Sequence, residues 1–507
     1  MIKIIKNKIF KNFQLFKNTC LIDENEKKFI QKRNFENYKS SFDRSLLIQC
    51  VEDHFFLALY LIVIRKEKKK FNKIYGLLTI PLKYSLSDVL LVLPFIKKVL
   101  IYFLRKKKWR KLYNSIGVTD FIEPPELKII PNLVNLIKAF KIFNKLGNKK
   151  SIINIKYKGI ECGDLIYDTC VRFNKKIPTI QVNQASLFFE IYKAFNYIDY
   201  YFSNKNNIKI CFMSQAVYTY HGIPARVFSY MNVPVYSSGN YEQMFKLINK
   251  RHFYMMANFK FYCDDFNSKF GDNEVKIGLK KFSKRFIGSD DNGVISSLSV
   301  NPYKIKCDSN YNYKLDGVLF LHDFYDSHKL YGEVIFNDFY EWTIYTLELI
   351  RKHKLNIGIK PHPHKLTIES DSAVEKIKFK YNDLKWLDPN VSNNVLFKSG
   401  ISFGISHHGT VLSELAYSNI VPICCSSNPT SSFGFTYEAK SIKEYKKLIL
   451  NSRNLKIKNK NDVGKFYYMH YINKKSDYFI NDKLIDGINL KGINRFKANS
   501  KSLSSII

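Results

Sequence analysis

Two stretches in the C-terminal half decide the fold: IGIKPHPHKL at Ile357–Leu366 and ISFGISHHGTVLSELAYSNIVPICCSSNP at Ile401–Pro429. Each begins as a short apolar run, which is typical of a buried strand, and continues into a polar loop. The second stretch then takes up a helical pattern and returns to another apolar run, IVPI. Strand, loop, helix and strand in this order indicate a βαβ unit and a mostly parallel sheet.

The same alternation extends outward from these stretches in both directions. In the C-terminal half it predicts strands at Gly317–Leu321, Asn356–Lys360, Ile401–Ile405 and Ile420–Ile423, and helices at Phe339–Lys352 and Val411–Ser418. In the N-terminal half it predicts strands at Ile152–Ile155, Thr179–Val182, Tyr197–Phe202 and Val233–Tyr236. The sequence therefore predicts two doubly wound α/β domains.

A segment poor in periodic apolar residues separates the two alternating regions. It spans Arg285–Tyr313 and is rich in Ser, Asn, Asp and Gly, a composition that predicts an interdomain connection. We place the domain boundary near residue 300. The expected organisation is a basic, mainly helical N-terminal region at 1–150 belonging to the first domain, α/β domains at 151–300 and 301–490, and a tail at 491–507.

The charge of the chain is strongly positive, with 81 Lys and Arg against 44 Asp and Glu and a formal net charge of +37. Basic residues far outnumber acidic ones in residues 1–112. Such a field favours an anionic partner: a nucleic acid, an acidic membrane leaflet, or a negatively charged glycan or lipid-phosphate acceptor. The alternative is a Lys-rich composition that gives a solvated basic surface without a specific partner.

The apolar runs and cysteines indicate a cytoplasmic protein. Phe55–Ile64 is too short to span a bilayer, and Val89–Leu104 is interrupted by Pro94 and two lysines. The run RKKKWRK at Arg105–Lys111 follows directly and suits the inner face of an anionic membrane. The nine cysteines show no paired CxxC spacing, and no cleavable signal peptide is visible. We expect a cytoplasmic location, with peripheral attachment to the membrane.

The two deciding stretches carry the candidate nucleotide site, because open α/β sheets bind ligands at the loops that follow their strands. The loop between a strand and a helix offers backbone N–H groups to a phosphate, and a carboxylate one turn further can accept hydrogen bonds from ribose hydroxyls. The alternative is that these residues cap the helix or close a rigid turn. The residues predicted to bind the nucleotide are Lys360, His362, His364, Ser406, His408, Gly409, Thr410 and Glu414.

The segment IECGDLIYDTCVRF in the first domain carries the candidate catalytic carboxylates. Asp164 and Asp168 are four residues apart, so they share one face of a helix, with Arg172 one turn further. Proton abstraction from an acceptor hydroxyl needs such a carboxylate. We expect Asp164 to be the first candidate, followed by Asp168 and Glu161. The alternative is a structural Asp–Arg pair.

Two further polar segments are expected to face a cleft between the domains. QAVYTYHGIPAR supplies Tyr218 and Arg226 as substrate-binding residues and His221 as a second candidate base. LHDFYDSH follows the first strand of the second domain and supplies His322, Asp323 and Asp326 for substrate positioning. Zinc binding by the histidines of the KPHPH and SHHGT loops is not expected, because no Cys or acidic residue recurs at the spacing of known zinc sites.

The KPHP and HGTVLSELAY stretches resemble the donor-binding half of bacterial capsule and O-antigen glycosyltransferases, and are similar to the His-Pro motif of Kdo- and sialyltransferase-like enzymes. The resemblance implies the GT-B architecture, with two facing Rossmann-like domains. It also implies transfer of a sugar from a nucleotide-sugar donor to a glycan or lipid-linked acceptor in surface-polysaccharide synthesis. CMP-linked sugars are among the candidate donors. No metal or other cofactor is then expected. Two alternatives stay open: a CDP-alditol polyol-phosphate transferase, and a non-enzymatic nucleic-acid-binding protein.

Overall fold

The structure is a computed structural model of the chain. It describes residues 16, 18–32, 43–80, 92–123, 132–173, 177–204, 207–238, 244–248, 261–288, 303, 314–363, 368–473, 478–479 and 499–506. The predicted domain boundary near residue 300 and most of the predicted connection Arg285–Tyr313 lie outside the described residues, as does His364.

The described residues form an α/β protein. Its strands are β1 (Ser45–Cys50), β2 (Lys73–Leu78), β3 (Asp120–Ile122), β4 (Lys156–Tyr157), β5 (Ile160–Glu161), β6 (Ile208–Met213), β7 (Val235–Ser237), β8 (Met244–Ile248), β9 (Gly317–Phe320), β10 (Ile357–Lys360), β11 (Lys385–Trp386), β12 (Phe403–Ser406), β13 (Val421–Cys424), β14 (Tyr437–Glu438) and β15 (Tyr478–Phe479). Its helices are α1 (Glu24–Lys32), α2 (His54–Glu67), α3 (Val92–Ser115), α4 (Leu133–Asn144), α5 (Lys149–Ile153), α6 (Gly163–Phe173), α7 (Ala185–Ser203), α8 (Ile223–Tyr230), α9 (Tyr262–Lys269), α10 (Asp272–Ser283), α11 (Phe339–Lys352), α12 (Ile368–Lys380), α13 (Asn393–Lys398), α14 (Val411–Tyr417), α15 (Ile442–Leu450) and α16 (Asn461–Tyr467).

The first unit is built on a sheet with the strand order β15-β8-β7-β6-β1-β2-β3. Strands β3, β2, β1, β6 and β7 are parallel. At one edge β8 pairs antiparallel with β7, and β15 pairs antiparallel with β8. β1 is buried at every position, as expected for a central parallel strand covered by helices on both faces. Residues 1–150, assigned from sequence to a mainly helical region, therefore supply three strands of this sheet.

Three of the four strands predicted in the first unit are wrong. Ile152–Ile155 begins in α5, Thr179–Val182 belongs to no strand, and Tyr197–Phe202 lies within α7. The aromatic residues of that last run favour a strand locally. Over the longer window, however, the buried residues of α7 recur at helical spacing, at positions such as Leu187, Ile191 and Ile198. Burial of one helix face thus overrides local β-propensity.

The second unit is built on a sheet with the strand order β11-β10-β9-β12-β13-β14, in which every pairing is parallel. The four strands and two helices predicted from the C-terminal stretches are confirmed within one or two residues at their ends. Two Rossmann-like α/β units with mainly parallel sheets, the fold class expected from the sequence, are confirmed. The predictions succeed here because each strand is a short apolar run bounded by polar loops.

The last part of the chain connects the two units. α9 and α10 pack with α16 around a cluster that includes Phe433 and Phe435 of the second unit. β15 then joins the edge of the first sheet, and the final helical turn places Leu503 in the first core, where it is fully buried. The predicted tail therefore ends in a turn that packs on the first unit, although residues 491–498 lie outside the described part.

The two apolar runs considered as membrane segments both fall in helices. Phe55–Ile64 lies in α2 and is buried throughout, so this helix is a core element of the first unit. The described part of Val89–Leu104 forms the first half of α3. Among the described residues, no helix combines the length and apolar character needed to cross a bilayer.

Two glycines allow α10 and α16 to pack at close range. A Cβ atom on Gly278 would lie 2.1 Å from the carbonyl oxygen of Gly464, and a Cβ atom on Gly464 would lie 2.6 Å from that of Val275. Gly278→Ala should therefore lower the free energy of unfolding by about 1–3 kcal/mol, the usual cost of overpacking, despite the better helix propensity of alanine. Urea denaturation followed by circular dichroism measures this change. Gly147→Ala is the control, because nothing lies within 4 Å of the added Cβ, and an equal loss in both variants would contradict the close contact.

Candidate functional site

Each sheet has a switch point, where successive strands leave in opposite directions and a crevice opens at the carboxyl ends. In the first sheet this point lies between β1 and β6, and in the second it lies between β9 and β12. Ligands of open α/β proteins bind at such points. Polar residues predicted from the sequence follow both: His221 comes after β6, and His322 and the SHHGT loop come after β9 and β12.

At the second switch point, the carbonyl oxygen of His408 holds the loop together. It accepts hydrogen bonds from His322 Nε2 at 2.7 Å and from the Ser406 hydroxyl at 2.8 Å. The His322 ring also stacks on Phe339, with ring centroids 4.6 Å apart. Burial lowers the pKa of His322 to about 3, helped by His362 nearby. His322 is therefore a neutral imidazole, with Nε2–H committed to the loop and the lone pair on Nδ1.

Past His408 the loop is open to solvent. Gly409 adopts a φ of +113°, which a side chain would strain, and Thr410 is exposed. The Thr410 hydroxyl makes no cap to α14, so the alternative that it only caps the helix is not observed. Ser406, in contrast, is buried, and its hydroxyl donates a hydrogen bond within the loop, to the His408 carbonyl oxygen.

Glu414 does not face the crevice. Its carboxylate is buried and lies 3.3 Å from both the Arg285 guanidinium and the Asn393 amide. The prediction that Glu414 binds ribose therefore conflicts with this geometry, because the carboxylate is taken up by a buried ion pair. The error has a simple cause: α14 presents this position to residues far away in the sequence, which spacing alone does not show.

At the first switch point, Gln49 fixes the orientation of His221. The Gln49 side-chain oxygen accepts from the backbone N–H and the hydroxyl of Ser214, at 2.8 and 2.6 Å. Its amide nitrogen therefore donates to His221 Nδ1, 2.6 Å away. Burial lowers the pKa of His221 to about 3. The ring is neutral with its proton on Nε2, so it is a hydrogen-bond donor rather than the base expected from the sequence.

The loop that carries His221 has an unusual backbone. Residues Tyr218–Gly222 form one π-helical turn, and Tyr218 has a φ of +59°. A bulky residue in the left-handed region is strained, and such strain clusters at functional sites. Hydrogen bonds between Thr169 and Thr219 hold the turn against α6. The turn therefore lies against the helix that carries the candidate carboxylates.

Asp168 joins the two units. Its carboxylate accepts a 2.6 Å hydrogen bond from the Ser327 hydroxyl and lies 2.8 Å from His328 Nδ1. Burial would raise the pKa of Asp168, but His328, Lys329 and Ser327 outweigh this effect and hold the pKa below its ordinary value. Asp168 is buried, so it positions the β9 loop and does not meet solvent in this arrangement.

Asp326 is an exposed carboxylate at the junction of the two units. Its side chain is solvent-exposed although protein atoms surround it on several sides, as expected at the mouth of a crevice. Desolvation raises the pKa of Asp326 to about 6, against the attraction of Arg172 from the first unit. Arg172 donates to the Tyr325 carbonyl oxygen at 3.2 Å and lies over the Tyr218 ring. Tyr218, Arg172 and Asp326, all predicted to bind substrate, therefore come together from both units.

Asp164, the first catalytic candidate from the sequence, lies in a buried ion pair. Both its oxygens accept 2.6 Å hydrogen bonds from Arg226, and the same guanidinium donates to the Glu161 carbonyl oxygen at 2.7 Å. Asp164 thus forms a structural pair, but with Arg226, which was predicted to bind substrate, and not with Arg172, the arginine of the sequence alternative. The Glu161 carboxylate pairs with Lys156 at the surface, 2.5 Å away.

The remaining predicted residues have supporting positions. Asp323 accepts from the Tyr325 backbone N–H at 2.9 Å and from the Ser370 hydroxyl at 2.8 Å, so it shapes the β9 loop. Lys360 is buried at the end of β10, and His362 lies half-buried beside His322. The described residues contain no group of His, Cys, Asp or Glu that could hold a metal ion.

Sequence reasoning missed the residues that orient the site. Gln49 and Ser214 lie at the ends of β1 and β6, and Asp338 begins α11 while accepting from Tyr167 and Thr179 of the first unit at 2.5 and 2.6 Å. The signal for Gln49 was available: it is a polar residue near the end of the apolar run SLLIQC, which precedes a helix and another strand. Asp338 carried only the pattern of a helix N-cap.

Comparisons with known proteins give little further information. No protein-family model and no curated protein matches the chain. Among solved structures it is similar to the UDP-GlcNAc 2-epimerase of Methanocaldococcus jannaschii in complex with UDP-GlcNAc and UDP, at 12% identity and a TM-score of 0.26, covering 83% of this chain and 97% of that one. It is also similar to the UDP-GlcNAc 2-epimerase of Neisseria meningitidis bound to UDP-GlcNAc, at 8% identity and a TM-score of 0.24, covering 84% and 98%. The class of the protein, a two-unit α/β fold with a cleft between Rossmann-like sheets, rests on its own strand order.

Replacement of Asp164 separates a structural from a catalytic carboxylate. Asp164→Asn should lower the free energy of unfolding by about 3 kcal/mol, because it leaves the buried Arg226 without its counter-charge. Glu161→Gln is the control, since the pair with Lys156 at the surface contributes little. Thermal and urea unfolding measure both variants. If Asp164→Asn keeps wild-type stability, the ion pair does not carry the structural role assigned to it.

Proposed function

We propose that the protein is a glycosyltransferase that binds a nucleotide sugar at the second switch point and an acceptor at the first. The observation that supports this most is that Arg172 and Tyr218 of the first unit lie close to Asp326 of the second. A two-substrate transfer needs two binding sites that open on one reaction centre. The resemblance of the KPHP and HGTVLSELAY stretches to capsule and O-antigen glycosyltransferases gives the same assignment.

The proposed nucleotide site uses the open part of the SHHGT loop. The exposed Thr410 hydroxyl and the half-buried His362 would donate to the phosphates, with Lys360 supplying positive charge from the end of β10. His322 would contribute the shape of the crevice, since its Nε2–H is bound to the loop. His364, which lies outside the described residues, stays a predicted phosphate ligand of the same loop.

Asp326 is the proposed general base. A base works best when its pKa lies near the working pH, and Asp326, with a pKa of about 6, meets that condition while remaining open to the cleft. Deprotonated Asp326 would take the proton of the acceptor hydroxyl as that oxygen bonds to the anomeric carbon and the bond from this carbon to the phosphate oxygen breaks, which releases the free nucleotide. Arg172 beside it would hold an acidic acceptor or sugar, and His221 Nε2–H would donate to a sugar oxygen. Asp168 would act as a positioning residue for the loop that carries Asp326.

A donor screen tests the proposal. Purified protein is incubated with UDP-, GDP-, CDP- and CMP-linked donors, and release of the free nucleotide is measured together with labelled sugar in the product. We expect turnover with one class of nucleotide sugar, and a loss of nucleotide affinity in Thr410→Ala of about tenfold, as for a lost hydrogen bond to a charged group. Transfer of the β-phosphate label from a CDP-alditol would instead support polyol-phosphate transfer. Salt-sensitive oligonucleotide binding without any turnover would favour the nucleic-acid-binding alternative.

The pH profile tests the base. The transfer rate should rise with pH through about 6, as Asp326 loses its proton, and then level off. Asp326→Asn should lower kcat about 10²-fold or more and remove this limb, with nucleotide affinity unchanged. His221 and His322 cannot produce the limb, because their pKa values lie near 3. Asp383→Asn, in an exposed pair with Arg351, is the control, and an Asp326→Asn enzyme with an unaltered profile would transfer the role to another group.

A further inference from the structure

The basic helix α3 has two different sides. Its inner side packs into the first core through Tyr102, Trp109 and Tyr113, which are buried. Its outer side carries Ile96, Leu100 and Phe103, each about half exposed, at 55%, 56% and 55%. The spacing of four and three residues places these three apolar side chains on one line along the helix.

The basic run that follows is divided by its ion pairs. Arg105 pairs with Glu52, Lys106 and Arg110 with Glu123, and Lys108 with the buried Glu26. These four cations therefore already have acidic partners within the protein, and Lys106 and Arg110 share one carboxylate. The sequence alone showed only an unbroken basic run, and could not distinguish these residues from the rest.

Lys107 and Lys111 remain on the outer side. Both are exposed, and no acidic side chain of the described residues lies within ion-pair distance of either. They continue the line of Ile96, Leu100 and Phe103 at helical spacing. A groove of about 450 Å³ lies beside Phe103 and these two lysines. The outer stripe of α3, defined as Ile96, Leu100, Phe103, Lys107 and Lys111, is thus apolar in its first half and cationic in its second.

We propose that the outer stripe of α3 binds the surface of a bilayer that contains anionic phospholipid. Exposed apolar side chains bind an interface by entering the acyl boundary, while neighbouring lysines attract the lipid phosphates. The stripe has both parts, and its charge is complementary to the anionic leaflet. A nucleic acid would use the two lysines but would leave the exposed Ile96, Leu100 and Phe103 in water, so the apolar half favours lipid.

The α3 helix suits this role geometrically. It spans 24 residues, so at 1.5 Å per residue it is about 36 Å long and can lie along the membrane plane. Its inner side is fixed to the core of the first unit, so binding the stripe would attach that whole unit to the lipid surface. The first unit carries the acceptor side of the proposed reaction, but lipid binding by α3 requires no particular reaction.

Vesicle co-sedimentation tests the proposal with the full chain. Wild-type protein is titrated with two kinds of vesicle. One contains phosphatidylcholine with about 30% phosphatidylglycerol, which gives an anionic surface. The other is pure phosphatidylcholine. We expect binding to the anionic vesicles that weakens as salt rises, because screening shortens the reach of the lysines. Equal binding to the neutral vesicles would overturn the proposal, and so would stronger binding to single-stranded or duplex oligonucleotides than to the anionic vesicles.

Two double variants separate the halves of the stripe. Lys107→Glu/Lys111→Glu should weaken vesicle binding about tenfold or more, and Leu100→Ser/Phe103→Ser should weaken it similarly through lost apolar contact. The matched controls lie on α12, where Lys376, Lys378 and Phe379 are exposed on the second unit. Lys376→Glu/Lys378→Glu and Phe379→Ser should leave binding unchanged. If the control variants lose as much vesicle affinity as the stripe variants, binding does not depend on the outer stripe of α3 and the proposal is wrong.

The serine variant could lose binding because it unfolds. A measurement of how deeply residue 103 enters the bilayer therefore tests the stripe independently. Phe103→Trp should give fluorescence that brominated phosphatidylcholine in the anionic vesicles quenches, since this side chain would meet the acyl boundary. Phe379→Trp should stay unquenched. Circular dichroism confirms that both variants are folded. A Phe103→Trp protein that binds vesicles without quenching would place another surface against the lipid.

Discussion

The contact between the buried carboxylate of Asp168 and His328 Nδ1 is the one on which the junction of the two units depends. One partner lies on a helix of the first unit and the other follows the first strand of the second. A buried charge is costly unless it is paired, so separating the units would expose or strand this carboxylate. The pair, with the Tyr167 and Thr179 hydrogen bonds to Asp338, fixes which residues can meet in the cleft.

Around this contact, the site is a set of polar residues whose hydrogen-bonding roles are decided by their neighbours. His322 donates its Nε2–H to the carbonyl oxygen of His408, and His221 Nδ1 accepts a hydrogen bond from the Gln49 amide. Both imidazoles are therefore neutral, and the hydrogen bond that each makes fixes which ring nitrogen carries the proton. What remains for chemistry is the carboxylate of Asp326, with Arg172 beside it. The pKa of Asp326 therefore lies much closer to neutral pH than the pKa of either imidazole.

The sequence predicted the second unit well and the first unit poorly, for physical reasons. In the second unit each strand is a short apolar run followed by a polar loop, so local pattern and burial agree. In the first unit, α7 contains aromatic residues typical of strands. The N-terminal region was interpreted from its positive charge, although it forms β1, the buried helix α2 and β2 in succession. Arg172, Tyr218 and Asp326 were predicted from the sequence to bind substrate, and the structure places them near one another. The ion-pair partners of Asp164 and Glu414 were not predictable, because Asp164–Arg226 and Glu414–Arg285 join residues distant in sequence.

The return of the chain to its first sheet has a consequence for synthesis on the ribosome. The strands of the second unit all lie between Gly317 and Glu438, whereas the first sheet gains β15 and the buried Leu503 only from the end of the chain. Domains usually fold in the order in which they are translated. Here the later unit can finish first, while the earlier one waits with an open sheet edge. An unpaired edge of this kind attracts other strands, so the first unit is open to mispairing until β15 is in place.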